Sequence, residues 1–179
     1  VVVADAMKVT KLPRDPEVLV ANLPYNVSVP VLLHLLATFP SIRGALVMVQ
    51  AEVGERIAAG SGSKVYGSPS VKAAWYGSWR LAGTVNRQVF WPVPNVDSVL
   101  VSFERAEAPG TEHERARTFA LVDAAFQQRR KMLRQALVPV LGAETVNALQ
   151  RAGIDPTLRG EQLAVGDYLA LARASTVGG

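Results

Sequence analysis

The stretch Val18–Phe39 reads VLVANLPYNVSVPVLLHLLATF and decides the fold of the region around it. Its first part, Val18–Ala21, has the length and the β-branched content of a buried strand. Pro24 has no N–H to give to a neighbouring strand, so the chain must turn there. From Ser28, which can cap a helix, leucines recur at helical spacing. The turn Asn22–Tyr25 therefore lies between a strand and a helix, where open α/β sheets bind ligands.

The residue types of this turn suit the binding of an adenine amine. That amine is a poor nucleophile, because its lone pair is delocalised into the ring. The Asn22 side-chain oxygen and the backbone carbonyl of Leu23 or Pro24 can accept its hydrogen bonds, which orients the nitrogen and makes it more electron-rich. Tyr25 offers a flat face on which a flipped-out base can stack. The same residues also fit an ordinary strand-ending turn, and taken alone they favour that simpler interpretation.

Composition excludes several classes of protein. With 179 residues, 49% hydrophobic and 19% charged, the chain has room for one good core and a small second domain. No apolar run approaches the roughly 20 residues of a membrane span, and no leader is visible, so we expect a cytoplasmic protein without a membrane partner. The absence of cysteine excludes disulfides and thiolate catalysis. The net charge of +4 mildly favours a polyanionic partner.

The two histidines, His34 and His113, are far apart and have no carboxylate cluster beside them. A metal site is therefore not expected. We interpret His34, which lies within the leucine-rich helix, as a packing or boundary residue rather than as a catalyst.

Strands and helices alternate in the first part of the chain, which predicts an α/β unit with a mostly parallel sheet. A strand, an aromatic-proline loop and a strand without an intervening helix then predict an antiparallel pair at a sheet edge. The predicted strands are Val1–Val3, Val18–Ala21, Ala45–Gln50, Trp79–Val85 and Val99–Glu104, and the predicted helices are Ser28–Phe39, Ala51–Ala59 and Ser70–Tyr76.

The composition changes at Glu104–Glu112, which reads as a linker, and the pattern is helical after it. The sequence therefore predicts two domains, 1–104 and 113–179. The predicted helices of the second are Glu114–Leu137, with apolar residues at Phe119, Val122, Phe126, Leu133 and Leu137, then Ala143–Ala152, stopped by Gly153, and Gly160–Ala174.

Basic residues on the long predicted helix are candidates for neutralising phosphates. At helical spacing Arg129 and Arg130 flank the apolar stripe, whereas Lys131 and Arg134 point further out. A solvated basic face is the alternative interpretation, and for an isolated helix it is the favoured one. Lys64 and Tyr66, in the loop 60–67, are further candidate RNA contacts, although a solvated linker explains them equally well.

Several short motifs occur in one order and at set spacings, and together they are much more specific for a single protein family than any one motif is. Taken together, the chain resembles the KsgA-type ribosomal RNA adenine dimethyltransferases over essentially its whole length. The motifs are Asp5-Ala6-Met7, Asn22-Leu23-Pro24-Tyr25-Asn26, Gln50-Ala51-Glu52-Val53 with Arg56, Lys64-Val65-Tyr66-Gly67, Phe90-Trp91-Pro92-Val93-Pro94-Asn95-Val96-Asp97-Ser98, Phe126-Gln127-Gln128-Arg129-Arg130-Lys131 with Arg134, and Gly153-Ile154-Asp155-Pro156.

The resemblance implies a Rossmann-like S-adenosylmethionine-dependent methyltransferase sheet with a small all-α C-terminal domain. It assigns Asn22, with the Leu23-Pro24 backbone, to the target adenine amine and Tyr25 to one face of the base. Phe90 matches the position expected to close over the other face. Asp5 and Ala6 match the loop that contacts the adenine ring of S-adenosylmethionine, and the resemblance also assigns Asn22 to cofactor binding.

The implied reaction is direct methyl transfer to adenine N6, twice per base, on two adjacent adenosines near the 3′ end of 16S rRNA. It needs no metal and no covalent enzyme intermediate. Implied partners are small-subunit rRNA and the 30S subunit, with a role in ribosome biogenesis. Lys64, Arg129, Arg130, Lys131 and Arg134 would help to grip the RNA, and a monomer is expected.

One departure from the family is large. Its members begin with a strand, a Gly-rich cofactor loop and an acidic residue that binds the ribose of the cofactor, and this chain begins after them. We therefore expect the sheet to be incomplete at its N-terminal end, and the 179 residues alone to bind S-adenosylmethionine weakly and to be inactive.

Three rival interpretations stay open. A large-subunit rRNA adenine methyltransferase of the antibiotic-resistance type would use the same tetrapeptide chemistry, and it ranks second among enzymes. A DNA adenine methyltransferase ranks lower, since no target-recognition insert is visible. From a different class, the chain fits a non-catalytic ribosome-assembly factor that binds rRNA.

Overall fold

The computed structural model describes residues 1–176, and these form two compact units. The first unit comprises Val1–Ala58 and Tyr76–Glu107. The second comprises Ala59–Trp75 and the described part of Ala108–Gly179. Each unit has a core of its own, and each is described separately below.

This division differs from the predicted boundaries of 1–104 and 113–179. Residues 59–75 interrupt the first unit and belong with the helical second unit. The reason is packing, because Tyr66 is buried among the core side chains of the helices. Residues 177–179 of the second predicted segment lie outside the described residues.

The first unit is built on a four-stranded sheet in the order β1-β2-β4-β3. Strand β1 pairs with β2 in parallel, whereas the β2–β4 and β3–β4 pairs are antiparallel. The sheet as a whole is therefore mixed, and the parallel pairing predicted for the first part of the chain is present between β1 and β2. The predicted antiparallel pair at a sheet edge is confirmed. The elements of this unit are β1 Val18–Asn22, α1 Ser28–Thr38, β2 Gly44–Gln50, α2 Ala51–Ile57, β3 Gly77–Val85 and β4 Ser98–Arg105.

Two predictions about this sheet are corrected. Val1–Val3 forms no strand, and its side chains are exposed, because no described segment pairs with it. Strand β1 is present, but Val18 and Val20 are 64% and 74% exposed. Strand β1 has only β2 as a neighbour among the described residues, so the face that carries these valines is uncovered there.

The opposite face of the sheet carries the core of the first unit. Val47, Val49 and Val101 are completely buried. Helix α2 lies directly on this face, because a Cβ atom added to Gly54 would collide with the side chains of Val99 and Val101. Glycine at this position thus allows the helix to approach the sheet closely.

Arg105 fixes the end of α1, the helix that follows the Asn22–Tyr25 turn. Its guanidinium donates to the carbonyl of Leu36 over 2.9 Å and to that of Ile42. These are carbonyls that the helix and its exit leave without a backbone partner. Burial lowers the pKa of Arg105, and the carbonyls of Leu36 and Ile42 accept the hydrogen bonds of its guanidinium.

The second unit is helical. Its core contains Leu121, Leu133, Leu149 and Tyr168, all fully buried. Its helices are α3 Ser68–Ala74, α4 Glu112–Gln127, α5 Leu133–Ala136, α6 Val138–Leu141, α7 Thr145–Arg151 and α8 Val165–Ala174, and short 3-10 turns at Gly142–Glu144 and Gly160–Gln162 precede the last two.

The predicted helix Glu114–Leu137 is not continuous. Helix α4 ends at Gln127, and α5 begins at Leu133. In an unbroken helix the amides of Leu133 and Arg134 would bind carbonyls four residues earlier. Instead they donate to the carbonyls of Leu158 and Pro156, over 2.7 and 3.1 Å. These tertiary bonds hold the chain in a turn.

Candidate active site

The backbone anchors the Asn22–Tyr25 turn at the carboxyl end of β1. The Leu23 amide donates to the Met48 carbonyl over 3.1 Å, which extends the β1–β2 pairing beyond the strand. The Leu23 side chain is buried. The Val27 amide then donates to the Pro24 carbonyl over 3.3 Å and closes the turn. A carbonyl oxygen has two lone pairs, so that of Pro24 can still accept a hydrogen bond from a ligand.

Tyr25 is held at both of its ends. Its hydroxyl lies 2.8 Å from the Oγ atom of Ser98, and its carbonyl accepts a hydrogen bond from the Ser28 hydroxyl over 3.3 Å. Ser98 is fully buried at the start of β4. The ring is therefore fixed in orientation before any ligand arrives, which reduces the entropy lost on binding.

The sequence assigned no role to Ser98. The serine is separated from Tyr25 by 73 residues, so the sequence pattern cannot place the two hydroxyls together. The one feature of the sequence that pointed to Ser98 was its position at the end of the motif that begins with Phe90.

All the residues predicted to bind the target base line one cleft. It has a volume of about 350 Å³, and its lining residues are Asn22, Leu23, Pro24, Tyr25 and Phe90. The first four come from the turn after β1, and Phe90 comes from the loop between β3 and β4. The cleft thus combines an exposed side-chain amide, backbone carbonyls and two aromatic rings. That set can accept hydrogen bonds from an amine and pack on a planar base.

The β3–β4 loop, Asn86–Asp97, is tied together at its base. The backbone amide of Arg87 donates to the Asp97 carboxylate over 3.1 Å, and the Arg87 guanidinium donates to the Asn95 carbonyl over 3.2 Å. The Asp97 carbonyl in turn accepts the Ala51 amide over 3.0 Å. These bonds fix the loop that presents Phe90 to the cleft.

Asp5 and Ala6, predicted to contact a cofactor, lie in a turn and do not line this cleft. One carboxylate oxygen of Asp5 accepts the Met7 amide over 2.9 Å, and the other lies 3.7 Å from the Lys8 ammonium. Half of the Asp5 side chain is exposed. The second oxygen therefore keeps the capacity to accept a hydrogen bond from an exocyclic amine.

His34 is partly buried and contacts the backbone of the segment before β1. Its Nε2 atom lies 2.9 Å from the Val9 carbonyl, a contact that ties the first segment of the chain to α1. Within residues 1–176, no three His, Asp or Glu side chains group together to hold a metal ion. No helix in that range is long and apolar enough to cross a membrane.

The predicted RNA-binding residues of the second unit divide into two kinds. Arg129 is engaged, because its guanidinium donates to the Glu161 carboxylate over 2.8 Å and to the Lys64 carbonyl over 3.0 Å. Arg130 and Lys131 are exposed, and their side chains contact no acidic partner among the described residues. We call Gln128–Lys131 the basic turn; with Gln127 it lines a shallow cavity of about 290 Å³.

Arg134 and Lys64 are exposed beside this turn, whereas Tyr66 is not. Arg134 contributes to lowering the pKa of Asp155, although the main cause is the hydrogen bond that Asp155 accepts from the Thr157 amide. Tyr66 is buried, and its hydroxyl donates to the Leu163 carbonyl over 2.9 Å. Burial raises the pKa of Tyr66 to about 12. The interpretation of Tyr66 as an RNA contact is therefore wrong.

Comparisons with known proteins agree with this arrangement. The family model for ribosomal RNA adenine dimethylase matches residues 1–176. The ribosomal RNA small subunit methyltransferase A of Leifsonia xyli is 69% identical over 175 residues, which cover 96% of this chain and 62% of that protein. The protein of the same name from Streptomyces coelicolor is 57% identical over 173 residues, covering 94% of this chain and 60% of its own length. The chain thus spans about 60% of the relatives that it matches.

Two solved structures of methyltransferases also match this chain over most of its length. A dimethyladenosine transferase from Plasmodium falciparum has a TM-score of 0.75 and 25% identity, covering 94% of this chain and 69% of that one. The 23S rRNA methyltransferase ErmE has a TM-score of 0.64 at 22% identity, with 97% and 70% covered, which supports the fold alone. The fold is therefore the Rossmann-like methyltransferase fold, and the match along residues 1–176 shows that the chain belongs to the ribosomal RNA adenine dimethylase family.

Proposed function

We propose that the protein containing this chain dimethylates adenine N6 on two adjacent adenosines near the 3′ end of 16S rRNA, within the small ribosomal subunit and as a monomer. The observation that carries this proposal is the single cleft lined by Asn22, Leu23, Pro24, Tyr25 and Phe90. Small-subunit RNA is preferred as the substrate because the relatives with 69% and 57% identity are named for it.

In this proposal the cleft acts by positioning. The Asn22 side-chain oxygen and a carbonyl of Leu23 or Pro24 accept the two N–H bonds of the adenine amine. This directs the nitrogen lone pair out of the ring plane and increases its electron density. Tyr25 and Phe90 pack on the two faces of the base and exclude water from it. No residue of the cleft needs to form a covalent bond.

We propose S-adenosylmethionine as the cofactor, which supplies an activated methyl group on a positively charged sulfur. Asp5 fits a part of it, since its half-exposed carboxylate can accept a further hydrogen bond, from the exocyclic amine of an adenine ring, beside its contacts with Met7 and Lys8. Ala6, next to it, and Asn22 complete the proposed cofactor contacts from this chain. Lys64, Arg130, Lys131 and Arg134 are proposed to contact phosphates, with Arg129 fixing the turn that carries two of them.

Methyl transfer from labelled S-adenosylmethionine to unmethylated small subunits tests the proposal. The full-length protein should yield dimethyladenosine after digestion of the RNA, and Asn22→Ala should lower kcat by about 100-fold to 1000-fold, the usual effect of removing one preorganised polar group. Asn26→Ala is the matched control, since Asn26 lies in the same turn but does not line the cleft.

The outcome distinguishes the alternatives. Activity on large-subunit rRNA instead of small subunits would replace the proposal with the resistance-type reaction. Tight binding of small subunits without methylation of either RNA would indicate an assembly factor. Equal activity of Asn22→Ala and Asn26→Ala would remove Asn22 from the reaction.

A further inference from the structure

The β3–β4 loop presents a second aromatic side chain that the cleft does not use. Trp91 follows Phe90 directly, and it is 94% exposed. The other two tryptophans, Trp75 and Trp79, are only 3% and 9% exposed. An indole ring in water exposes a large apolar area, so its free energy falls when a planar group covers it.

The backbone directs the two aromatic rings to different places. Phe90 has extended dihedral angles, φ −103° and ψ 149°. In an extended chain, successive side chains point to opposite sides. Phe90 lines the cleft, and Trp91 does not. The loop therefore has one aromatic ring in the cleft and the next one outside it.

The loop is also rigid enough to act as a platform. Its base is closed by the bonds of Arg87 to Asp97 and Asn95. Pro92 and Pro94 fix their own φ angles in the part of the loop that follows Trp91. The ring is thus held on a constrained backbone, which lowers the entropy lost when a ligand stacks on it.

We propose that Trp91 stacks on the RNA base next to the target adenosine. This inference rests on the proposed function, because it takes the cleft as the place of the target base. When a base is flipped out of a stack, its neighbour loses a stacking partner. An exposed aromatic side chain beside the cleft can replace that partner, and such stacking tolerates any base because every base has a π-face.

The chemistry of the loop favours a base over a protein or a lipid partner. The other exposed apolar residues of the loop are Val89, Pro92, Val93 and Val96, so the patch consists of one large ring and small side chains around it. A stable protein interface needs roughly 800 Å² on each partner. A lipid surface is usually bound by an amphipathic helix with a basic face, and this segment is a loop.

Kinetics on unmethylated small subunits test the stacking. In the full-length protein, Trp91→Ala should raise KM for subunits by about 5-fold to 100-fold, the range that one base–aromatic stack is worth. Its kcat should change little, because the cleft is intact. Trp91→Phe should keep most of the affinity. Val93→Ala is the matched control, since Val93 is about half exposed in the same loop.

Fluorescence gives a readout that does not depend on activity. The protein is labelled with 5-hydroxytryptophan, which can be excited apart from the tryptophans of ribosomal proteins, and the emission of labelled Trp91→Phe is subtracted. The difference signal should be quenched by iodide in the free protein. Addition of subunits should change its intensity and protect it from iodide.

Two results would overturn the proposal. Protection of Trp91 from iodide in the free protein would show that another part of the protein, or a second copy, covers it. Equal KM values for Trp91→Ala and Val93→Ala, with unchanged fluorescence on addition of subunits, would show that no base stacks there. If the wild-type protein methylates subunits in that second case, only the stacking proposal fails; if it does not methylate them, the fluorescence still decides the stacking separately.

Discussion

The cleft and the basic turn are built in the same way but use their polar residues differently. Each lies where the chain leaves a regular element, and each is fixed by a backbone amide that binds a distant carbonyl, Leu23 to Met48 in one case and Leu133 to Leu158 in the other. In the cleft, hydrophobic burial and backbone bonds fix the turn, and the Asn22 amide is left exposed. In the basic turn, the Arg129 side chain itself holds the turn in place, through its hydrogen bonds to Glu161 and to the Lys64 carbonyl.

This difference separates the effects of substitutions. A change to the exposed Asn22 side chain should alter activity and leave stability nearly unchanged, whereas the buried Leu23 side chain supports the turn. Substitutions within the basic turn should have two kinds of effect. A change at Arg129 should lower stability, because Arg129 supports the fold, whereas changes at Arg130 and Lys131 should weaken ligand binding. Neighbouring residues of one motif are therefore not equivalent.

After that of Asn22, the largest expected effect in the cleft lies at Tyr25. Tyr25→Ala removes the stacking face and should lower kcat/KM by about 10-fold to 100-fold. Tyr25→Phe keeps the ring and loses only the bond to Ser98, so kcat should fall by about fivefold, the value of one net hydrogen bond. Both are measured as methyl transfer to unmethylated small subunits.

Ser98 provides the test of positioning. Ser98→Ala should match Tyr25→Phe in kcat, and the double variant should be no worse than either, because all three lack the same 2.8 Å hydrogen bond. Ser102→Ala, on the same strand, is the control, since its hydroxyl makes only an exposed 3.4 Å contact with the Arg80 carbonyl. Additive losses, or a loss of melting temperature without a change in kcat, would mean that Ser98 supports the fold and does not orient Tyr25.

The next effect is on RNA affinity. Replacing Arg130 and Lys131 by glutamine should weaken binding of subunits and reduce the slope of log affinity against log salt by about 1 to 2, roughly one for each phosphate that is no longer neutralised. The melting temperature should stay unchanged. The dissociation constant is measured over a range of potassium chloride concentrations, and an unchanged slope would leave the two side chains as a solvated face.

Arg129 should behave in the opposite way. Arg129→Gln removes a partly exposed ion pair with Glu161 and a charged hydrogen bond to the Lys64 carbonyl, so we expect about 1 to 2 kcal/mol of lost stability. Urea unfolding measures this loss, and Glu161→Gln should be largely non-additive with it. A change in the salt slope at full stability would instead place Arg129 in contact with RNA.

The parts of the fold that could be predicted depend on local physics. The leucines after Ser28 place α1 to within a residue, because periodicity acts inside one helix. Ser28 does not cap this helix as the sequence suggested, since it is the first helical residue and its hydroxyl donates to the Tyr25 carbonyl. The pairing of β3 with β4 was likewise predictable, since the loop between them carries two prolines and no predicted helix that could form a crossover. The members of the cleft were found from the resemblance and from the chemistry that each residue type allows.

The parts that failed depend on distant partners. The helix break after Gln127 requires the carbonyls of Leu158 and Pro156, which periodicity within the helix cannot reveal. Leu133 is buried as the pattern predicted, although it lies on a different helix. At Leu133 the apolar pattern thus predicted burial although it placed the residue on the wrong element, whereas in β1 the element is right and Val18 and Val20 are exposed.

The start of α4 is held by side-chain hydrogen bonds, unlike its end, where the predicted helix breaks. The smallest of the expected effects lies at this start. Thr111 and Glu114 form a capping box, in which the Glu114 carboxylate accepts the Thr111 amide over 2.7 Å and the Thr111 hydroxyl accepts the Glu114 amide over 3.2 Å. The Arg173 guanidinium also donates to Glu114 over 2.7 Å. The hydrogen bond from Arg173, followed by that from Thr111, lowers the pKa of Glu114 to about 2.

This pKa predicts the pH at which the cap is lost. A carboxyl group whose pKa is lower in the folded state stabilises the fold above its unfolded pKa, near 4.3, and loses that contribution as pH falls toward the folded value of about 2. The melting temperature of Glu114→Gln should therefore lie below that of the wild type at pH 7, and the gap should close between about pH 4.5 and pH 2. Glu107→Gln, an exposed change just before the helix, should show no such gap. A gap that stays constant down to pH 2 would mean that the ionisation of Glu114 does not stabilise the start of α4, so that the low pKa has no part in the cap.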